Sequence, residues 1–284
     1  AKLWRQGDAQ PLPPLLGKQV AVPGWQFCAD LCSPALDFLS GHQVQNNIVL
    51  PGAAYLDAML SAALEQSGGL TSVVLNNIRF EAPLLIDFDE KPQLRTVAHN
   101  DGSIDIHSQH QQDGWIKHAQ ASVLKGARMQ VSEPCDLAVQ VKNQSELMTA
   151  EALYEDFDAR GLSYQGAFNS VQALWRLPND ADRGAKNSNN DGGEKVIAHI
   201  KLSADQSSYQ GAIHPGLLDA CFQTLLTLVE QQKGAIIPVA IQNINWQAAA
   251  GDELWVEAWL SYESPERIVG SLNLYRATSV GNSM

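Results

Sequence analysis

Two stretches of this chain predict helices with almost no polar face, and a helix of that kind persists only where other elements surround it. The first is PGAAYLDAMLSAALEQSGG, which Pro51 and Gly52 open and Gly68 with Gly69 close. Ala53, Ala54, Leu56, Ala58, Met59, Leu60, Ala62 and Ala63 leave little of its circumference polar. The second is HPGLLDACFQTLLTLVEQQ, beginning at His214. Each needs a sheet to wrap it.

The segments around the first helix supply one. Val73 to Phe80, Leu94 to Ala98, Ser103 to Ser108 and Trp115 to Leu124 have strand character, with turn signals at Asn100-Asp101-Gly102 and Asp113-Gly114. They predict an antiparallel meander. The pattern weakens from Met129 to Met148, a stretch read as a linker. A short amphipathic helix is then predicted from Thr149 to Arg160, with Ala150, Leu153, Tyr154 and Phe157 on one face and Gly161 ending it. Strands follow over Ser170 to Leu177, Val196 to Leu202, Val239 to Gln247, Leu254 to Tyr262 and Val269 to Arg276, interrupted by a polar loop from Pro178 to Glu194. One plan is therefore used twice, over residues 1–140 and 141–284.

Composition narrows the function. The 284 residues are 45% apolar, enough for a substantial core, and a formal net charge of -12 with no cluster of Lys and Arg argues against nucleic acid. Residues 1–20 carry charges and prolines without a continuous apolar run, so neither a signal peptide nor a membrane anchor is predicted, and a cytoplasmic location is expected. Cys28, Cys32, Cys135 and Cys221 make no paired CxxC pattern and read as reduced core thiols. His107 and His110 read as parts of a solvated strand and turn rather than as metal ligands.

Two short constellations could carry chemistry. In GHQVQNNIVLPG, His42 stands nine residues ahead of Pro51, which places a base near a helix N-terminus whose free N–H groups can polarise a carbonyl. Alone, such a histidine reads more readily as a structural residue. In HPGLLDACFQ, Asp219 and Gln223 are four apart and share a helix face among apolar neighbours, so burial should raise the carboxyl's pKa. A buried aspartate satisfied by Gln223 or by backbone explains the same pattern.

Together these segments resemble the dehydratase domains of modular polyketide synthases, which carry an HxxxGxxxxP motif in one half and DxxxQ or DxxxH in the other. The matching stretches are HQVQNNIVLP and DACFQ, flanked by LPGAAYLDA and HPGLLDA. GLSYQGAF, from Gly161 to Phe168, is similar to the family's GxxYGPxF segment, and IIPVAIQNINW, from Ile236 to Trp246, to the stretch after its Asp helix. The resemblance runs from about Leu15 to the end. Two positions depart from it: Asn46 replaces the motif glycine, and Gln165-Gly166 replaces Gly-Pro. Asn tolerates a positive φ well, so the fold should survive, while a side chain at position 46 is expected to add volume and a hydrogen-bonding group near His42.

The resemblance implies an α+β double hotdog, two antiparallel sheets each wrapped about a long central helix as a pseudo-dimer in one chain. It also implies dehydration of a 3-hydroxyacyl thioester to the 2,3-enoyl thioester, with His42 as base and Asp219 as acid. Gln223 would orient Asp219, the Gly52 N–H after Pro51 would meet the thioester oxygen, and Tyr164 would contact the hydroxyl or line the pocket; His214 belongs to the flanking motif. No metal, nucleotide or flavin enters this scheme. The substrate would arrive on the phosphopantetheine of an acyl carrier protein, and neighbouring synthase domains and a second copy of the domain are the other expected partners. Three further readings stay open: a relative that also closes a pyran ring or moves the double bond, a non-catalytic structural module, and a hydratase acting on coenzyme A thioesters.

Overall fold

The computed structural model describes residues 12–68, 70–110, 114–124, 126, 136–177, 194–206, 208–229, 234–247, 251–264 and 267–277. Most of the predicted polar loop, Cys135, Gly69, Asp113 and the start of the predicted linker lie outside them. The first half runs β1 (Lys18–Gln19), β2 (Trp25–Asp30), β3 (His42–Val44), β4 (Asn47–Ile48), α1 (Gly52–Ser67), β5 (Ser72–Phe80), β6 (Gln93–Ala98), β7 (Ser103–His110) and β8 (Gly114–Val123). The second runs α2 (Leu137–Val141), β9 (Glu146–Thr149), α3 (Ala150–Ala159), β10 (Leu162–Tyr164), β11 (Val171–Leu177), β12 (Lys195–Lys201), α4 (Pro215–Leu226), β13 (Ala240–Gln247), β14 (Glu253–Ser264) and β15 (Arg267–Arg276).

The two apolar helices are where their composition requires. Every residue of α1 from Ala53 to Ala63 is buried, and the helix lies against β5, β6, β7 and β8. Pro51 caps its start with extended backbone, and Gly68 stops it at φ 71, a conformation that costs glycine nothing. α4 lies against β12, β14 and β15 and also touches α1. Its 12 residues are fewer than the sequence suggests. Thr227, Leu228 and Val229 bond back to carbonyls three residues earlier, tightening the chain out of α-helix after Leu226.

Among the described residues all strand pairs are antiparallel. One sheet has the order β1-β2-β6-β7-β8-β5-β13, a second β15-β14-β12-β11-β9, and a small third sheet β10-β3-β4 joins the halves. The expected meander is the β6-β7-β8 run. A division of the chain at residue 140 does not divide the sheets, because β13 pairs with β5 from Ala240↔Arg79 to Gln247↔Ser72. Val44 and Leu162, paired through β3 and β10, belong to different halves as well. Part of the predicted linker is ordered: Leu137 and Val141, four apart on α2, pack on Ile197, and β9 extends the second sheet through β11. Of the described cysteines only Cys221 is a core thiol; Cys28 and Cys32 are half-buried. His107 lies half-buried in β7, and among the described residues no helix is long and apolar enough to cross a membrane.

The second helix is fixed at its first turn by a close backbone approach. A Cβ at Gly216 would stand 2.3 Å from the carbonyl oxygen of Ala167, on the segment that leads from β10 to β11. Gly216→Ala should therefore destabilise the fold, because overpacking of about 1–3 kcal/mol exceeds the roughly 1 kcal/mol that alanine gains over glycine in a helix. Chemical denaturation is expected to show a net loss of about 1–2 kcal/mol; an unchanged or raised midpoint would show that the approach relaxes freely.

Candidate active site

His42 begins β3, where a 3-10 turn over Pro34–Gly41 ends. Its Nδ1 lies 2.8 Å from the carbonyl oxygen of Val49. A carbonyl can only accept, so Nδ1 carries the hydrogen and the neutral ring presents an unshared pair at Nε2. The backbone makes this possible by folding back between the two residues. Gln45 and Asn46, at φ 49 and φ 64, form a two-residue turn, and Val44 pairs with Asn47 across it. The tolerance of Asn for positive φ is thus used. Its side chain, however, is exposed at the hairpin tip and adds no volume beside His42, contrary to the expectation from the motif glycine.

The ring of His42 is held among aromatic groups from the other half. Tyr164 is its cross-strand partner, with ring centroids 5.6 Å apart, and the ring of Phe168 lies at 5.3 Å. Nε2 faces Asp219 Oδ1 at 4.0 Å, too long for a direct hydrogen bond. Both side chains are about nine-tenths buried.

Asp219 sits on α4 one turn before Gln223, whose Nε2 donates to Asp219 Oδ2 at 3.0 Å and to the Phe168 carbonyl at 3.0 Å. The amide oxygen of Gln223 accepts from the Tyr154 hydroxyl at 3.1 Å, which in turn accepts from the Val171 N–H at 3.0 Å. Every polar atom of Gln223 is therefore committed and its orientation is determined. Because Oδ2 already accepts an N–H, a proton on Asp219 belongs on Oδ1, the oxygen facing His42. Burial raises the Asp219 pKa, while His42 and the Gln223 donor pull it down. The unshared pair of His42 Nε2 and the Oδ1 of Asp219 consequently look into one space from opposite halves of the molecule.

Of the residues singled out in the sequence, the structure brings together His42, Asp219, Gln223 and Tyr164. The Tyr164 hydroxyl is pushed above its usual range, first by burial and then by the Asp219 charge. Gly52 opens α1 three residues beyond Val49, so its N–H is in the first turn, which has no intrahelical acceptor. Pro51 is the cap of that helix. His214 is a cap too: its Nδ1 accepts from the Gly216 N–H at 3.0 Å, and burial lowers its pKa to about 4. Sequence reasoning missed Val49, whose carbonyl acts irrespective of its side chain. It also missed Tyr154, read as part of an apolar helix face, although a tyrosine inside a core needs a partner for its hydroxyl.

Comparison with known proteins places the chain in a family. A family model described as "Polyketide synthase dehydratase N-terminal domain" matches residues 132–280, and one described as "Polyketide synthase dehydratase domain" matches residues 13–109. The phthioceranic/hydroxyphthioceranic acid synthase of Mycobacterium tuberculosis is 31% identical over 257 residues, covering 84% of this chain and 11% of that protein. The chain thus spans about a tenth of the length of this curated relative. Among solved structures, the dehydratase domain from the CurK module of curacin polyketide synthase superposes with a TM-score of 0.73 at 22% identity, covering 93% of this chain and 92% of that one. The dehydratase domain of RzxB from Pseudomonas fluorescens gives 0.72 at 22% identity, with 94% of each chain covered. At that identity the likeness establishes the fold, the double hotdog expected from the motifs. With more than half of its length matched by one family model, the chain belongs to the polyketide synthase dehydratase family.

Proposed function

We propose that this domain removes water from a 3-hydroxyacyl thioester to give the 2,3-enoyl thioester, with His42 as base and Asp219 as acid. The observation that carries this reading is the 4.0 Å gap between His42 Nε2 and Asp219 Oδ1, in which each atom's protonation is dictated by its partner on the far side. The thioester makes the α-hydrogen acidic, and Nε2 takes it as a proton. The electron pair left on the α-carbon forms the double bond while the β-carbon–oxygen bond breaks. Hydroxide is a poor leaving group, so Asp219 Oδ1 delivers its proton to that oxygen and water departs. Negative charge developing on the thioester oxygen is met by the Gly52 N–H at the α1 N-terminus.

Both proton transfers come from the same space, so the α-hydrogen and the hydroxyl leave from one face of the substrate. The step ends with imidazolium at His42 and carboxylate at Asp219. Return of the proton from Nε2 to Oδ1 resets the site, and a water in the gap can relay it. Tyr164, beside both groups, is suited to hold the substrate hydroxyl before it leaves. As one domain of a longer cytoplasmic synthase, the protein would receive its substrate on the phosphopantetheine of an acyl carrier protein, next to other synthase domains and a second copy of itself. The length of the curated relatives supports that setting.

Mass spectrometry of a 3-hydroxyacyl carrier thioester tests the assignment. Wild type should lose one water, and His42→Ala and Asp219→Asn should each lower the rate at least about a hundredfold; turnover retained by either variant would remove that residue from the mechanism. The pH profile tests Gln223. Asp219 must be protonated to act, so activity falls as pH rises through its raised pKa. Gln223→Leu removes a donor that lowers this pKa while keeping the site apolar. The alkaline limb of kcat should therefore move up by about one pH unit as kcat itself falls, whereas a limb that stays or moves down would show that Gln223 does not set the ionisation of Asp219.

A further inference from the structure

A second buried carboxylate, Asp57 on α1, takes no part in the scheme above. It is fully buried, and its partners come from the stretch that leads into α4. The Tyr209 hydroxyl donates to Oδ2 at 2.6 Å, and the Ile213 N–H donates to Oδ1 at 3.0 Å. One turn further along α1, Ser61 Oγ accepts from the Ala212 N–H at 3.3 Å. Between these contacts the chain passes so close that a Cβ at Gly211 would lie 2.5 Å from Asp57 Oδ1 and 2.4 Å from the Tyr209 ring.

Tyr209, Ala212 and Ile213 pack on the core around α1, and the Tyr209 ring meets Phe38 edge-on at 5.6 Å. A cavity of about 230 Å³ lined by Tyr209, Gly211, Ala212 and His214 adjoins this segment, as does another of about 210 Å³ lined by Ser61, Gly211, Ala212 and Trp246. That packing fixes no direction, and beside open volume the bonds to α1 are the contacts of residues 209–213 that do. The segment then continues without a break into His214, whose ring meets Tyr209 edge-on at 4.9 Å and whose Nδ1 caps α4. Asp219 lies in the following turns of that helix. A sequence of contacts thus runs from Asp57 through Tyr209 and His214 to the helix whose Asp219 carboxyl faces His42.

A buried carboxylate is a costly way merely to join two halves. Burial pushes the Asp57 pKa up to about 6, so at neutral pH the folded protein carries its charge against the preference of its surroundings. An apolar pair would hold the halves with less penalty, but without fixing direction. Two donors converging on two oxygens do fix it.

We infer that Asp57 is a positioning residue for dehydration, acting through Tyr209 and residues 209–213 to set the Asp219 carboxyl at its working distance from His42. The inference rests on the assignment of His42 and Asp219 as base and acid. It differs from a structural role in what it predicts for a correctly folded variant. Misplacing a reacting group lowers the rate of the chemical step and leaves affinity for the carrier-bound substrate alone.

Steady-state kinetics with a 3-hydroxyacyl carrier thioester should be run on wild type, Tyr209→Phe, Asp57→Asn and His42→Ala, each with circular dichroism and a thermal melt. Tyr209→Phe keeps the ring and loses one donor; it is expected to retain its fold and a KM within about twofold of wild type while kcat falls about tenfold. Asp57→Asn should lose more. A Tyr209→Phe enzyme with kcat within twofold of wild type, or a loss that matches a smaller folded fraction, would overturn the inference, and if Asp57→Asn does not fold, Tyr209→Phe decides alone. Water loss absent from wild type, or undiminished in His42→Ala, would instead overturn the base and acid assignment.

Discussion

Eleven consecutive buried residues on α1 impose the condition that the remaining architecture meets. A sheet covers one side of a helix, and a helix buried all round needs a second cover. Here that cover comes from the other half: Leu218 and Phe168 enter the core around α1, while Phe38 and Val44 pack into the core around α4. The halves are consequently not two domains resting on each other. Their cores share side chains, and β13 completes the sheet of the half to which it does not belong in sequence.

The candidate site depends on that sharing. His42 stands on a strand of the first half and Asp219 on a helix of the second, and each is set by a partner on its own side: the Val49 carbonyl for His42, and Gln223 with Tyr154 behind it for Asp219. Neither partner touches the gap. What they control is which atom faces the gap: the Val49 carbonyl keeps the ring hydrogen at Nδ1 and leaves a lone pair at Nε2, and the Gln223 donor leaves Oδ1 as the open oxygen of Asp219. Low polarity around Asp219 then favours its neutral form.

Much of this was legible in the residues. Long strands such as β14, where buried and partly exposed residues alternate from Glu253 to Ala258, carry period 2 in their side chains, and the two helices declare themselves through unbroken apolar composition. β3, β4 and β10 are too short for a period to register. The partner of β13 was hidden for another reason: pairing with β5 is a choice between edges of similar character, made by tertiary packing and not by local pattern. At the site, His42, Asp219 and Gln223 stood out because polar residues among apolar ones are conspicuous. Asn46 misled, since the neighbourhood of a residue in sequence passes over a turn that sends its side chain to solvent. Val49 could not be found by residue type, because its contribution is a backbone oxygen.

The pairing of β13 with β5 also bears on how the chain is born. Synthesis proceeds from the N-terminus, so β5 leaves the ribosome long before its outer neighbour has been translated. Through that interval the first sheet presents an open edge, with Val73 and Leu75 on a strand able to accept any stray partner. Protection arrives only with the segment that follows α4. A nascent chain of this protein is thus most exposed to mispairing while His42 exists and Asp219 does not, and closure of the sheet comes after both are in place.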